Sequence, residues 1–134
     1  MYYIYWFVVG SCIGSFVNAL VWRLPRGMDV VHGRSICPHC GHRLAWVDLI
    51  PLLSWLLLKG KCRYCQKHVS LRYPMIEGME ACLALVCGCC FDSIFEAILV
   101  FACMTLLVAI AWIDQDSMCI PDELQMILLI MILL

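Results

Sequence analysis

The chain has 134 residues, of which 64% are hydrophobic and only 14% are charged, and its formal net charge is −1. A soluble domain is about half apolar and about a quarter charged, so this composition argues against a water-soluble protein. The high apolar content also excludes a disordered chain. The sequence therefore predicts an integral membrane protein with a few spans that contact the lipid bilayer.

The charges are distributed unevenly along the chain. All nine Lys and Arg residues fall between Arg23 and Arg72 together with only two acids, whereas the rest of the chain has eight acids and no base. Basic loops beside membrane spans stay on the cytoplasmic side, so residues 23–73 are predicted to be a cytoplasmic insert. A nucleic-acid-binding patch is the alternative, but the positive charge is too dilute for one, and no nucleic-acid partner is expected.

Residues 1–22 carry no charged side chain, and a helix of this length can cross a hydrocarbon core of about 30 Å. The aromatic residues at its start, such as Tyr2 and Trp6, are typical of an interfacial belt. A cleaved signal peptide would carry its basic residues before the apolar run, but here they follow it, beginning with Arg23. We expect a retained span with its N-terminus outside.

Within the insert, residues 44–58 are apolar but are interrupted by Asp48 and Pro51. This stretch is short for a membrane span, so a buried or interfacial helix is expected.

Two further spans are predicted at residues 74–91 and 94–113. Glu77 and Glu80 lie three positions apart, hence on one face of the second span, where they can bind a basic substrate segment or Arg72, or simply lie at the interface. Residues 124–134 begin a fourth span but are too few to cross the bilayer, and a helix that stops in hydrocarbon leaves its last carbonyl groups unsatisfied. The chain therefore looks truncated within its fourth span.

Two C-x-x-C pairs, Cys37/Cys40 and Cys62/Cys65, are the strongest local signal. Four thiolates from two such knuckles can converge on one tetrahedral Zn²⁺. Redox activity of one pair is the alternative, but it would not require a second copy. The sequence therefore predicts a structural zinc bound by these four residues, and the other seven cysteines are interpreted as small hydrophobic residues.

Acids cluster after the third span, at Asp114, Asp116, Asp122 and Glu123. An ionisable residue at the end of an apolar span raises a functional hypothesis, with an interfacial cap as the alternative. Pro121-Asp122-Glu123 is typical of a helix start, with acids at the positive end of the helix dipole. Aspartic catalysis requires two carboxylates that share one proton, and no second partner for Asp114 is evident in the sequence.

Several motifs together point to one family. They are Gly14-Ser15-Phe16-Val17-Asn18 with Arg23-Leu24-Pro25, the segments around the two cysteine pairs, Leu44-Ala45-Trp46-Val47-Asp48-Leu49-Ile50-Pro51, Ser70-Leu71-Arg72-Tyr73-Pro74 with Glu77, and Ile113-Asp114-Gln115-Asp116 with Ile120-Pro121-Asp122. As a set, from about residue 10 to residue 125, they resemble the N-terminal half of the bacterial type IV prepilin peptidases, the prepilin leader peptidase/N-methyltransferases.

The resemblance implies an aspartic endopeptidase of the bacterial inner membrane. Such enzymes remove the short basic leader of type IV prepilins and type II secretion pseudopilins at the cytoplasmic face, and many methylate the new N-terminus with S-adenosylmethionine. By position, Asp114 would be the first catalytic aspartate, and Cys37, Cys40, Cys62 and Cys65 would bind zinc.

The implied fold is an all-α integral membrane protein with three full transmembrane helices and a truncated fourth. Residues 1–22 would form the first span, residues 23–73 the cytoplasmic zinc domain, and residues 74–134 spans 2–4 with the start of a truncated peptidase domain.

The sequence departs from the family in one respect. The family's second catalytic aspartate follows a Gly-x-Gly motif, and no Gly-x-Gly-Asp occurs here. Either the chain is a fragment that is inactive alone, or self-association or a second chain supplies the missing half. The alternative function is a non-catalytic membrane-anchored zinc module that binds pilin or pilus and secretion assembly proteins.

Overall fold

The computed structural model describes residues 2–30, 32–118 and 121–133. These residues form two 3-10 helices, Leu24–Arg26 and Trp46–Leu49, and five α-helices. The α-helices are α1 (Tyr2–Arg23), α2 (Leu53–Leu57), α3 (Arg72–Cys90), α4 (Ile94–Ser117) and α5 (Asp122–Leu133). The described residues contain no strand, only two isolated β-bridges, which confirms the all-α prediction.

Three helices are long and apolar enough to cross a membrane, at Tyr2–Arg26, Arg72–Cys90 and Ile94–Ser117. They match the three predicted full spans. The third helix continues beyond the predicted end at residue 113, because the Ser117 hydroxyl donates to the carbonyl oxygen of Ile113 at 2.7 Å and the Met118 N–H donates to that of Asp114 at 2.8 Å. Asp114 and Asp116 therefore lie within α4, and not after the third helix as the sequence suggested.

Helices α1 and α3 run antiparallel in direct backbone contact. A Cβ atom added at Gly14 would lie 2.6 Å from the Cα of Glu77, and one added at Gly10 would lie 2.6 Å from the carbonyl oxygen of Glu80. Small residues four positions apart permit this close approach of two helices in a membrane. The Asn18 side-chain amide adds a 3.1 Å hydrogen bond to the carbonyl oxygen of Tyr73.

Replacing Gly14 by alanine is expected to lower the free energy of unfolding by about 1–3 kcal/mol, because the new methyl group must displace the backbone of α3. Gly78→Ala is the matched control in α3, since its Cβ would meet only the Leu52 side chain, at 3.9 Å, and alanine favours the helix by about 0.5–1 kcal/mol. Denaturation followed by circular dichroism in bicelles measures both. Equal effects of the two substitutions would contradict this packing.

Two apolar clusters hold the helices together. One joins α1, α3, α4 and α5 through Val17, Ile76, Ile113 and Leu124, and the other joins the far ends of α1, α3 and α4 around Trp6. Ile113 is completely buried. The first cluster therefore fixes the position of the α4 turn that carries Asp114.

The apolar stretch at residues 44–58 is not the single helix expected. It divides into the 3-10 helix Trp46–Leu49 and the short helix α2, because Pro51 and the positive φ of Leu52 (61°) interrupt it. Its side chains are not buried within the described residues, since Trp46 is 78% exposed and Leu57 is 80% exposed.

Candidate functional site

The two cysteine pairs lie in turns of the same construction. In the first, the Cys37 N–H donates to the carbonyl oxygen of His42 and the Gly41 N–H donates to that of Cys37, both at 2.9 Å. The second pair repeats the pattern, with the Cys62 N–H on the carbonyl oxygen of Lys67 and the Gln66 N–H on that of Cys62. The residue after the second cysteine has a positive φ in each turn, 67° at Gly41 and 57° at Gln66.

These turns bring together all four of the cysteines predicted to bind zinc. The sulfur atoms of Cys37, Cys40, Cys62 and Cys65 all lie within 4.8 Å of one another, and those of Cys37 and Cys65 are 3.9 Å apart. A tetrahedral zinc with Zn–S bonds of about 2.3 Å separates its sulfur ligands by about 3.8 Å. The cluster can therefore hold a metal ion, and its donor set fits the predicted zinc.

The thiols also differ in acidity. Burial opposes ionisation of Cys37, but hydrogen bonds from the backbone N–H groups of Cys40 and His39 and contacts with the neighbouring thiols lower its pKa to about 7. The pKa of Cys65 is raised to about 11, because burial and the three neighbouring thiols outweigh the hydrogen bond from the Lys67 backbone. A cation at the centre of the cluster would favour the thiolate form of all four ligands.

Asp48 connects the apolar stretch to the second cysteine turn. Its carboxylate accepts a 2.7 Å hydrogen bond from Nε of Arg63, a 3.2 Å bond from the Tyr64 hydroxyl and a 3.2 Å bond from the Ala45 N–H. Burial would raise the pKa of Asp48, but the hydrogen bond and charge of Arg63 hold it below its usual range. The sequence showed Asp48 as an interruption of an apolar run and as part of a motif, but it did not predict these contacts.

Replacing Asp48 by alanine is expected to cost this insert about 1–2 kcal/mol of local stability, since three donors lose their acceptor but Arg63 remains half-exposed. Faster hydrogen exchange of the Ala45 amide is the measurement. Asp92→Ala is the control, because Asp92 is exposed. Unchanged exchange in Asp48→Ala would show that the carboxylate does not hold this loop.

The two glutamates of α3 face the protein interior. Glu77 is 7% exposed and accepts a 2.7 Å hydrogen bond from the Leu52 N–H, while Glu80 is completely buried and accepts a 2.8 Å bond from the Thr105 hydroxyl. Their position on one face of the helix is as predicted, but neither lies at an open interface. The suggested pairing of these acids with Arg72 is wrong, since Arg72 turns to α4.

Arg72, the first residue of α3, reaches both sides of Asp114. Its guanidinium forms an ion pair with Asp116 and lies over the ring of Trp112, 5.2 Å from the ring centre. Asp114 is exposed, and its side chain has no partner among the described residues. Arg72 therefore fixes the end of α4 against the start of α3 and leaves the Asp114 carboxylate accessible.

Among the described residues, the remaining acids and cysteines lie outside the cysteine cluster. Asp122 and Glu123 form the first turn of α5, which confirms the predicted helix start. Of the seven cysteines outside the cluster, Cys87 is buried, Cys103 is half-buried, and Cys119 lies outside the described residues; the other four lie exposed on helix surfaces. The structure thus separates one convergent thiol cluster from cysteines that act as small side chains on apolar helices.

The sequence matches the family described as "Bacterial Peptidase A24 N-terminal domain" over residues 8–91. A prepilin leader peptidase/N-methyltransferase of Myxococcus xanthus is 40% identical over 90% of this chain, and one of Aeromonas hydrophila is 33% identical over 96%. A type 4 prepilin-like proteins leader peptide-processing enzyme of Escherichia coli is 38% identical over 86%.

The aligned regions cover 36%, 53% and 49% of these three relatives, so the chain spans about a third to a half of their length. No solved structure matches the chain. The match covers α1, the cysteine insert and α3, and the relatives extend the similarity to the region of Asp114. The chain therefore belongs to the bacterial prepilin leader peptidase family.

Proposed function

We propose that this chain carries the first catalytic aspartate and the zinc domain of a prepilin leader peptidase. The observation that carries the proposal is the similarity to relatives named as leader peptidases over about nine-tenths of the chain. The substrates would be type IV prepilins and type II secretion pseudopilins, cut between the leader and the mature protein.

Asp114 is the proposed catalytic residue. In an aspartic peptidase one carboxylate is ionised and activates water, while the other is protonated and polarises the scissile carbonyl group. Asp114 suits this role because its carboxylate is exposed at the end of a membrane-length helix whose last turn is held by Arg72. Its partner would be a second aspartate from outside these 134 residues.

The four cysteines would bind a structural zinc, which leaves no ligand position open for substrate. The zinc would hold the two turns of the insert together and so fix the loop that leads into Arg72. Four thiolates and one Zn²⁺ would give the site a charge of −2, which the neighbouring Lys61 and Arg63 would partly offset.

The membrane topology follows from the charges. We infer an inner-membrane protein with its N-terminus outside and residues 23–73 in the cytoplasm, because all nine basic residues lie between Arg23 and Arg72. Asp114 would then lie at the cytoplasmic face. The acidic end of α4 and start of α5 would complement a basic leader.

Methylation of the new N-terminus is the second proposed step, and S-adenosylmethionine would supply the methyl group. A cavity of about 780 Å³ between the insert and the adjoining ends of α1 and α3 supports it, since cofactor pockets measure about 300–1,000 Å³. Trp22, Trp55 and Tyr73 line the cavity together with Asp29, and aromatic rings and a carboxylate suit a ligand with a base and a sulfonium charge.

A hybrid enzyme tests the peptidase proposal. The chain replaces the aligned part of the Aeromonas hydrophila relative, and the hybrid is incubated in vesicles with that relative's prepilin. Leader removal at the natural junction is the expected result. A hybrid that inserts into membranes and binds zinc but leaves the prepilin uncut would contradict the proposal.

A further inference from the structure

The apolar part of the insert, Trp46–Leu57, presents a surface that the described residues leave exposed. Trp46 is 78% exposed, Leu53 57%, Leu56 63% and Leu57 80%. Asp48 is the only charged residue in this segment, and it is turned toward the cysteine turn by Arg63, so the exposed surface carries no charge. Patches of this kind on a protein mark an interaction surface.

The segment lies against the spanning helices at the level of Glu77 and Gly14. The Leu52 N–H donates to Oε2 of Glu77 at 2.7 Å, and the Leu52 side chain reaches Gly78. Glu77 in turn lies directly against Gly14 of α1. At 1.5 Å per residue, Gly14 lies about 14 Å along α1 from Arg23 and Glu77 lies about 8 Å along α3 from Arg72, so both lie inside a hydrocarbon core about 30 Å thick.

An apolar groove runs between the segment and the outer face of α1. It has a volume of about 600 Å³ and is lined by Phe7, Val8 and Cys12 on one side and by Leu53 and Leu56 on the other. These three α1 residues lie farther from Arg23 than Gly14 does, and all three are exposed. The exposed face of α1 is thus continuous with the exposed face of the segment.

Backbone polar groups around Leu52 are hydrogen-bonded within the protein. Irregular backbone at membrane depth is tolerated only where the protein satisfies its polar groups. Pro51 has no N–H to satisfy. The Leu52 N–H is bonded to Glu77, and the Leu52 carbonyl oxygen accepts from the Leu56 N–H at 3.0 Å. The Ser54 N–H donates to the carbonyl oxygen of Ile50 at 3.1 Å.

We propose that Trp46–Leu57 is a re-entrant segment within the otherwise cytoplasmic residues 23–73, which enters the bilayer beside α1 and returns to the same side. Lipid acyl chains cover its exposed leucines and fill the groove against α1, and Glu77 binds the turn at Leu52. On the other side of α2, Trp55 fixes the helix to the cysteine domain, with its indole N–H on the carbonyl oxygen of Val69 at 3.3 Å. The proposal requires that α1 and α3 span a bilayer and is independent of the peptidase activity.

Photocrosslinking to lipid tests the proposal. The photoreactive residue p-benzoylphenylalanine replaces Leu53 or Leu57 in the full chain, reconstituted in phosphatidylcholine vesicles, and irradiated adducts are analysed by mass spectrometry. Lys67, which is exposed in the second cysteine turn, is the matched control position. Metal bound per chain, equal to that of the parent, shows that each variant is folded.

We expect at least about tenfold more lipid adduct at Leu53 and Leu57 than at Lys67, with the new bonds on acyl-chain carbons. A photoreactive group in hydrocarbon is surrounded by acyl chains and by α1, and it reacts with these neighbours. Adducts restricted to the lipid headgroup, or yields at Leu53 and Leu57 no higher than at Lys67, would overturn the proposal.

Discussion

Replacing Asp114 by asparagine is expected to lower the rate of leader cleavage by the hybrid enzyme about 10²–10⁴-fold, the usual contribution of a general acid or base. Asparagine has nearly the same shape but can neither ionise nor hold the proton that an aspartate pair shares. Because Asp114 is exposed and its side chain has no partner among the described residues, the substitution removes no structural contact. Cleavage is followed by the mass of the prepilin.

Asp122→Asn is the matched control for this experiment. Asp122 is also exposed and lies in the first turn of α5, where its charge stabilises the helix start by about 0.3–1 kcal/mol. We expect a small loss of stability and nearly unchanged cleavage. Normal prepilin cleavage by the Asp114→Asn hybrid would contradict a catalytic Asp114. Equal losses of cleavage activity in both variants would show that the two acids contribute only negative charge at the membrane surface.

The largest structural effect is expected from the cysteine cluster. The purified chain should contain about one zinc ion, and the double substitution of Cys37 and Cys40 by serine should abolish binding. Structural zinc in small domains contributes apparent binding free energies of about 10–16 kcal/mol, and this energy drives their folding. We therefore expect the insert of the variant to unfold, which elemental analysis and limited proteolysis of residues 23–73 will detect.

Cys82→Ser provides the control for the zinc experiment, because Cys82 lies exposed on α3, outside the cluster. Its metal content and proteolysis pattern should match those of the parent. A parent chain that is free of metal and has the same protease resistance as the double variant would contradict a structural zinc site.

The main elements of the fold could be predicted because they depend on local sequence. An uncharged run of membrane length predicts a helix wherever it occurs, and two C-x-x-C pairs predict convergent thiols from spacing alone. The predicted third span is too short at its C-terminal end, because the charges of Asp114 and Asp116 end the apolar run before the helix ends. Backbone hydrogen bonds within the helix decide that end, and charge does not.

The partners of the polar side chains could not be predicted, because they come from distant parts of the chain. Glu77 accepts a hydrogen bond from the Leu52 N–H, 25 residues away in the sequence, and Arg72 forms an ion pair with Asp116, 44 residues away. Only the tertiary packing of α1, α3 and α4 creates these contacts. One signal was present and went unused, since the spacing of Gly10 and Gly14 is typical of closely packed membrane helices and identifies the face of α1 that meets α3.

The most direct test of a catalytic Asp114 locates the cleavage junction of a bound prepilin on this chain. A prepilin with a photoreactive diazirine at the first mature residue is bound to the reconstituted chain and irradiated, and the crosslinked peptide is identified by mass spectrometry. If Asp114 is catalytic, the crosslinks are expected at the end of α4, around Asp114, or at the adjoining start of α3 at Arg72. Crosslinks confined to the cysteine turns, with none at α4, would contradict a catalytic Asp114 and support a zinc domain that only binds the pilin.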